Sequence, residues 1–349
     1  MNRTIIAGIG SYVPDNVVTN EELTQFMDTS DQWIQERTGI RERRYVRRFE
    51  QTTATIGAEA AKIAMERAGI TAQDIDFVIF ATLSPDYFFP GCGVLVQRML
   101  GLKDVGALDV RNQCSGFLYG LSVADQFIKT GMYKNILLIG AEVHSYAMDF
   151  STRGRNVSVI FGDGAGAVIL QPSDDADRGI LSTHLHSDGA DAEVLSMPNP
   201  GFHAGAHRPE WRPPVPDQKY GGVFITQDLL DREDFYPYMD GQTVFKKAVV
   251  KLPEVIREAL NANAYQAQDL ALLIPHQANL RIAQFVQQTL KLSDDQVFNN
   301  IQKYGNTTAA SVPLALCEAW EAGRVKEKDL VCLAAFGSGF TWGSALLKW

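Results

Sequence analysis

Ala72-Gln-Asp-Ile-Asp-Phe-Val-Ile-Phe80 returns later in the chain as Ala267-Gln-Asp-Leu-Ala-Leu-Leu-Ile-Pro275, and each copy follows a helix-like segment. A second pair repeats the spacing. The stretch from Cys114 through Lys129-Thr-Gly131 to a strand at Ile136 parallels the stretch from Asn306 through Glu321-Ala-Gly323 to a strand at Leu330. The offset is about 192 to 195 residues in both, too long for a solenoid and the mark of a duplicated domain. On this alignment Cys114 and Asn306 are equivalent, each entering a helix after a strand. Two such helix starts facing one another are a natural place for chemistry.

Outward from the repeat, helix and strand signals alternate. Thr53 to Ala68 carries small apolar residues at helical spacing and closes at Gly69, before the apolar strand Asp76-Phe-Val-Ile-Phe-Ala81. Ser115 to Thr130 reads as a helix stopped at Gly131, and Asn135-Ile-Leu-Leu-Ile-Gly140 as another buried strand. Runs apolar on both faces suit a sheet covered by helices on either side, which is α/β architecture. Between about Pro198 and Asp240, seven prolines break the pattern and predict an irregular insertion. It reads either as a surface excursion or as a loop facing substrate or a second subunit.

Composition narrows the function. With 349 residues, 46% hydrophobic and 21% charged, the chain is an ordinary globular protein and neither disordered nor a disulfide scaffold. A net charge of −9 argues against non-specific nucleic-acid binding, which requires neutralised phosphates. The N-terminal apolar stretch is short, broken by glycine, and lacks the h-region of a signal peptide. No apolar run approaches the ~18 residues of a membrane span. These features lead to the expectation of a cytoplasmic protein with no membrane partner.

Four cysteines, Cys92, Cys114, Cys317 and Cys332, show neither a C-x-x-C pair nor metal-ligand spacing. Cys92, Cys317 and Cys332 lie in apolar runs and read as core. Cys114, in Asp109-Val-Arg-Asn-Gln-Cys-Ser-Gly, opens a helix, where the dipole and free N–H groups would lower a thiol pKa. It is a nucleophile or another structural thiol. His276 leaves the end of a buried strand and Asn306 stands at a cap position; taken alone, each is more often structural. Gly162-Asp-Gly-Ala-Gly166 lacks G-x-G-x-x-G spacing and precedes a strand at Ala167 to Leu170, so it reads as structural. His184-x-His186 and His203-x-x-x-His207 lack the partners that would complete a metal site, and none is expected.

Several segments together carry a resemblance. His276-Gln-Ala-Asn-Leu-Arg-Ile282, Gly305-Asn-Thr-Thr-Ala-Ala-Ser-Val-Pro313 and Phe336-Gly-Ser-Gly-Phe-Thr-Trp-Gly-Ser-Ala345 resemble β-ketoacyl-acyl-carrier-protein synthase III of the thiolase-like superfamily. Trp33-Ile-Gln-Glu-Arg-Thr-Gly-Ile40, Gln113-Cys-Ser-Gly-Phe117 and Phe161-Gly-Asp-Gly-Ala-Gly-Ala167 add to it, in order along nearly the whole chain. The resemblance implies a thiolase-like duplicated αβαβα five-layer sandwich, with halves at about 1–175 and 176–349. It implies a decarboxylating condensation of an acyl-CoA starter with malonyl-acyl-carrier protein through an acyl-cysteine, initiating fatty-acid synthesis. Acyl-CoA is then a substrate, and no cofactor or metal is held permanently.

Roles follow by the same resemblance. Cys114 is the acylated nucleophile, and His276 and Asn306 stabilise the enolate left by loss of CO₂. The oxyanion hole comes from the backbone N–H groups of Cys114 and Ser338. Here Phe336-Gly-Ser-Gly departs from the usual F-G-G-G, so Ser338 must reach a backbone conformation it can hold without strain. Trp33 and Arg155 sandwich the CoA adenine with Arg37 beside the nucleotide; Arg37 belongs to a basic run with Arg41, Arg43, Arg44, Arg47 and Arg48, which reads either as a CoA entrance or as a solvated arginine face. Phe89, Gln113 and Phe336 shape the acyl pocket, Phe89 reaching across a homodimer interface. Gln113 departs from the family's small residue and, with the insertion, suggests a medium-chain starter. Lys246, Lys247 and Arg281 dock the acidic carrier protein. Competing readings are a specialised condensing enzyme, a papain-like protease with the order Cys, His, Asn, and an inactive partner subunit.

Overall fold

The computed structural model describes residues 3–199, 201, 227–231 and 235–349. The elements that place the site are strands β1 (Arg3–Tyr12), β2 (Phe77–Ala81), β3 (Gly106–Val110), β4 (Ile136–Glu142), β5 (Gly164–Ser173), β6 (Gly179–Ser187), β7 (Leu272–Pro275), β8 (Leu330–Gly337) and β9 (Thr341–Lys348). The helices are α1 (Asp31–Thr38), α2 (Thr53–Ala68), α3 (Cys92–Leu100), α4 (Gly116–Lys129), α5 (Gly241–Ala262), α6 (Leu280–Leu290) and α7 (Ser311–Glu321).

The duplication is plain in the sheets. The first runs β1-β5-β4-β2-β3, with β4, β2 and β3 parallel and the two remaining pairings antiparallel. The second runs β6-β9-β8-β7 with the same directions, and a parallel bridge from Leu273 to Val297 lies where β3 would lie. Helices α4 and α7 fill the space between the sheets. Phe117, Leu118 and Leu121 of α4 join Val312, Ala315 and Leu316 of α7 and strand residues from both sheets in one core. Helices α2 and α3 cover the outer face of the first sheet, and α5 and α6 that of the second. This is the five-layer αβαβα sandwich. Each fully buried leucine or phenylalanine of the middle layer contributes about 1.5–3 kcal/mol, so the two halves hold one another in place.

Local signals explain the elements. Thr52 accepts the N–H of Thr55 to open α2, and Gly69, in the left-handed region at φ 67°, ends it. The segment at 115–130 instead starts its α-helix at Gly116, because residues Gln113–Ser115 form a 3-10 turn. Register also corrects the equivalence drawn between Cys114 and Asn306. Phe77 lies opposite Ile136 and Leu272 opposite Val331, and that spacing carries Cys114 onto Ala309. Gln113 (φ 44°) and Thr308 (φ 49°) open matching turns, Gln113–Ser115 and Thr308–Ala310. Asn306 comes just before its turn.

Most of the proline-rich stretch, residues 200, 202–226 and 232–234, lies outside the described residues, as do His203 and His207. Its described edges hold a helix at Gln227–Asp231 and a ribbon pairing Leu195–Ser196 with Tyr238–Met239. Among the described residues no helix is long and apolar enough to cross a membrane.

Candidate active site

Cys114 follows β3 and lies buried in its turn. Ser115 braces that turn, its Oγ bonded to the Asn112 carbonyl and 2.7 Å from Thr341 Oγ1. The N–H groups of Ser338 and of Cys114 itself, and the Thr308 side chain, favour the thiolate. Burial nevertheless pushes the thiol up to about 12, and the Glu142 carboxylate adds to the rise. The turn's N–H acts in the expected direction and lowers it, but desolvation of the charged form is the larger effect, so the thiol is not depressed. Glu142, at the end of β4, accepts from Thr82 Oγ1 at 3.0 Å and Ser84 Oγ at 2.6 Å. Burial raises its own pKa to about 7. Cys92, Cys317 and Cys332 are free, buried and part of the cores.

His276 leaves β7 with its ring edge fixed. Its Nδ1 is 2.6 Å from Ser311 Oγ, which also accepts the Gln277 N–H at 3.4 Å. When the serine gives its proton to Nδ1, the ring carries its hydrogen on Nε2. That Nε2 is buried and has no partner among the described residues, and burial drops the ring pKa to about 3, so His276 is neutral and in this tautomer offers Nε2–H to the cleft. Asn306 Oδ1 accepts the Thr308 N–H at 2.8 Å, leaving the amide hydrogens for a ligand. Asn306 does not orient the imidazole; Ser311 does. A papain-like triad needs the asparagine on the histidine, so that reading fails.

Ser338 lies between β8 and β9. Its φ is outside the left-handed region, which Gly339 takes instead at φ 135°, so serine fits the backbone. Its hydroxyl donates to the Leu195 carbonyl, anchoring the loop. Gly337 is indispensable: a Cβ there would lie 2.6 Å from Cys114 Cβ and 3.0 Å from its sulfur. Gly140 has a matching role in β4, where a Cβ would come within 2.4 Å of the Ala309 carbonyl and push the Thr308–Ala310 turn away.

Cys114, His276, Asn306, Phe336 and Gly337 share a cleft of about 1010 Å³ with Trp33, Arg37, Lys246 and Arg281. The guanidinium of Arg37 lies 4.3 Å from the Trp33 ring and that of Arg155 4.9 Å from it. The basic run divides. Arg43 is fully buried, giving its guanidinium to the Val18 and Val159 carbonyls, and Arg44 pairs with Glu42. Those two therefore do not line a CoA entrance. Lys247 is bound to Asp191 at 2.7 Å, which raises its pKa, and lies outside the cleft lining. Gln113 and Phe89 are also outside it; Phe89 is 79% exposed. Sequence reasoning missed Ser311 and Thr308, although both lie in the motif containing Asn306. Among the described residues no group of three His, Cys, Asp or Glu side chains is arranged for a metal, and His184 and His186 both turn to Glu258.

Family models described as 3-oxoacyl-[acyl-carrier-protein] synthase III and its C-terminal region match residues 108–189 and 260–349. A β-ketoacyl-[acyl-carrier-protein] synthase III from Xanthomonas euvesicatoria is 46% identical over 347 residues, covering 99% of this chain and 98% of that protein. This chain belongs to the β-ketoacyl-[acyl-carrier-protein] synthase III family. The synthase III of Rhodospirillum centenum is 43% identical over 350 residues, 99% of each chain. The crystal structure of the Aquifex aeolicus synthase III superposes with a TM-score of 0.87 at 41% identity, covering 99% of this chain and 100% of that one. The chain is thus a thiolase-like condensing enzyme, an acyltransferase.

Proposed function

We infer that the enzyme condenses an acyl-CoA starter with malonyl-acyl-carrier protein and so initiates fatty-acid synthesis. The observation that carries this reading is one buried thiol on a cleft floor served by two separate donor sets. In the first half-reaction the Cys114 sulfur attacks the thioester carbonyl. The oxyanion is held by the N–H groups of Cys114 and Ser338, and the CoA thiolate leaves with the thiol proton. In the second, malonyl loses CO₂ and its thioester oxygen becomes an enolate oxygen, stabilised by His276 Nε2–H and the Asn306 amide. The enolate carbon attacks the acyl-cysteine and the Cys114 thiolate departs, taking from solvent the proton that the overall reaction consumes. A high resting thiol pKa fits this order, since the charge forms only when the substrate is seated. The same reading places the enzyme in the reducing cytoplasm and divides it into halves near residue 175. Incubation with acyl-CoA, followed by intact-mass and peptide mapping, should place one acyl group on Cys114. Its appearance on Cys92, Cys317 or Cys332 would overturn the assignment.

CoA would enter past Trp33 and Arg37, with the Arg155 guanidinium parting from Trp33 to admit the adenine between that guanidinium and the indole, and Arg37 beside the nucleotide. Lys246 and Arg281 line the mouth and would meet the acidic carrier protein; Lys247, held by Asp191, contributes less. Charge reversal at Lys246 and Arg281 is expected to raise KM for malonyl carrier protein and flatten its salt dependence, with KM for acyl-CoA moving less. A KM unchanged at low salt removes this patch.

We place a homodimer interface on the open edge of β3. Leu108 is exposed on that edge, which is unpaired among the described residues; Tyr87, Phe88 and Phe89 are exposed before α3, and Arg111, just past β3, lies over the Phe88 ring, so apolar surface near this edge calls for a cover. Phe89 would then close the partner subunit's acyl pocket beside Gln113 and Phe336. On this reading kcat/KM climbs from acetyl- toward medium-chain CoA, by at most ~0.8 kcal/mol per buried methylene, and then falls. A maximum at acetyl-CoA would refute the medium-chain preference, and a monomer in dilute solution would refute the role of Phe89.

A further inference from the structure

One buried histidine near the reacting sulfur has no part in the steps above. His144 lies two residues beyond β4, with its ring packed on Phe161 at 4.7 Å between centroids. Its backbone is fixed as well: the His144 N–H donates to Asp163 Oδ1 at 2.7 Å, and Asp163 also holds Ser145 and Val46. Its Nε2 is 2.7 Å from Thr308 Oγ1; the turn that holds Thr308 packs against the turn that holds Cys114, and the threonine side chain is among the groups that favour the Cys114 thiolate. Thr308 itself is a β-branched residue in the left-handed region at φ 49°, with its N–H tied to Asn306 Oδ1. A threonine does not adopt that backbone without a compensating interaction.

Proton counting gives the chain of bonds a direction. A threonine hydroxyl has one hydrogen and can accept two. If the hydrogen goes to His144, the oxygen can only accept from the thiol, and the sulfur is held in its unreactive protonated form. If His144 donates through Nε2–H, the threonine hydrogen is released to the sulfur and stabilises the thiolate. Burial keeps the imidazole neutral, with its pKa lowered to about 3, so the ring has one N–H to place. We propose that His144 is a positioning residue for Cys114: its Nε2–H, donated to Thr308 Oγ1, commits the threonine hydroxyl proton to the Cys114 sulfur. This arm offsets part of the opposition that burial and Glu142 set against ionisation. The titratable groups around the sulfur are Glu142 at the end of β4, His144 beyond it, and His276 at the end of β7. The proposal rests on Cys114 being the nucleophile.

The test is the rate of Cys114 alkylation by iodoacetamide in the full-length enzyme, followed by mass at several pH values between about 6 and 10. His144→Phe fills the space without an N–H, and His144→Gln keeps a donor. In His144→Phe the rise of the rate should move up by about one pH unit, a roughly tenfold loss at fixed pH. The acylation rate with acyl-CoA should fall in step, and His144→Gln should recover most of both. Thr308→Val against Thr308→Ser reads the same bond from its other end, and decides the matter if His144→Phe does not fold. An unmoved profile in His144→Phe or Thr308→Val, or a glutamine variant no better than phenylalanine, overturns the proposal and leaves His144 a packing residue. Wild-type enzyme alkylated elsewhere than Cys114 would instead overturn the underlying choice of nucleophile.

Discussion

Alanine at His276 or at Asn306 is expected to slow CO₂ release from malonyl carrier protein by roughly 10²–10³-fold, the effect of removing one donor from a developing oxyanion. Cys114 should still take up the acyl group in both variants. The two donors are held by different partners, Ser311 for the imidazole and the Thr308 N–H for the asparagine, so removing one leaves the other in place. The histidine works as a neutral group, its pKa dropped to about 3 by burial. Decarboxylation should therefore show no His276 titration between about pH 5 and 8. Stability carries the opposite sign of change. Unfolded histidine binds a proton below about 6.5, so keeping His144 and His276 neutral costs stability as pH falls from there toward 3. Stopped-flow or radiolabel measurement of CO₂ release, beside mass analysis of the acyl-enzyme, checks both points. Loss of acylation with normal decarboxylation would reverse the assigned roles.

Gly337→Val is the second large effect. The first carbon of the new side chain would lie 2.6 Å from Cys114 Cβ and 3.1 Å from its amide nitrogen, inside the space the oxyanion must use. A shift of about an ångström in a reacting group is enough for a hundredfold loss, so acylation should fall by at least ~10². CoA binding is expected to survive, because Trp33 and Arg37 belong to α1, at another part of the cleft. Acyl-enzyme mass and the thermal shift produced by CoA separate the two. A valine variant acylated at the normal rate would mean that the loop relaxes freely and that Ser338 is no fixed donor.

The architecture was legible because duplication leaves a one-dimensional trace. Ala72–Phe80 and Ala267–Pro275 give the register of two sheets before any contact is known. The cleft residues Cys114, His276 and Asn306 were legible as motifs, and all three line one cavity. What escaped depends on burial and on three-dimensional partners. A helix start suggests a depressed thiol pKa, but the enclosure of Cys114 and the neighbouring Glu142 are invisible in sequence. Arg43 and Arg44 look alike in the basic run; one is sealed between carbonyls, and the other pairs with Glu42. Lys246 lines the cleft, whereas Lys247 lies outside it and pairs with Asp191, a residue far away in sequence. Matching Cys114 with Asn306 failed because the repeat was anchored on helix starts, whereas strand pairing shows that the equivalent of Cys114 is Ala309.

That alanine has a meaning for descent. An ancestral pair of identical halves would have presented the same residue on both turns, with two chances at a nucleophile. In the present chain one turn has a sulfur and the other a methyl group, and Asn306, just before the second turn, lines the same cleft as the sulfur. On the proposed mechanism the two halves divide the labour: the first carries the acyl group, and the second supplies the side-chain donors for the enolate. Neither half is a smaller version of the enzyme, and reversing the roles would require rebuilding both turns together.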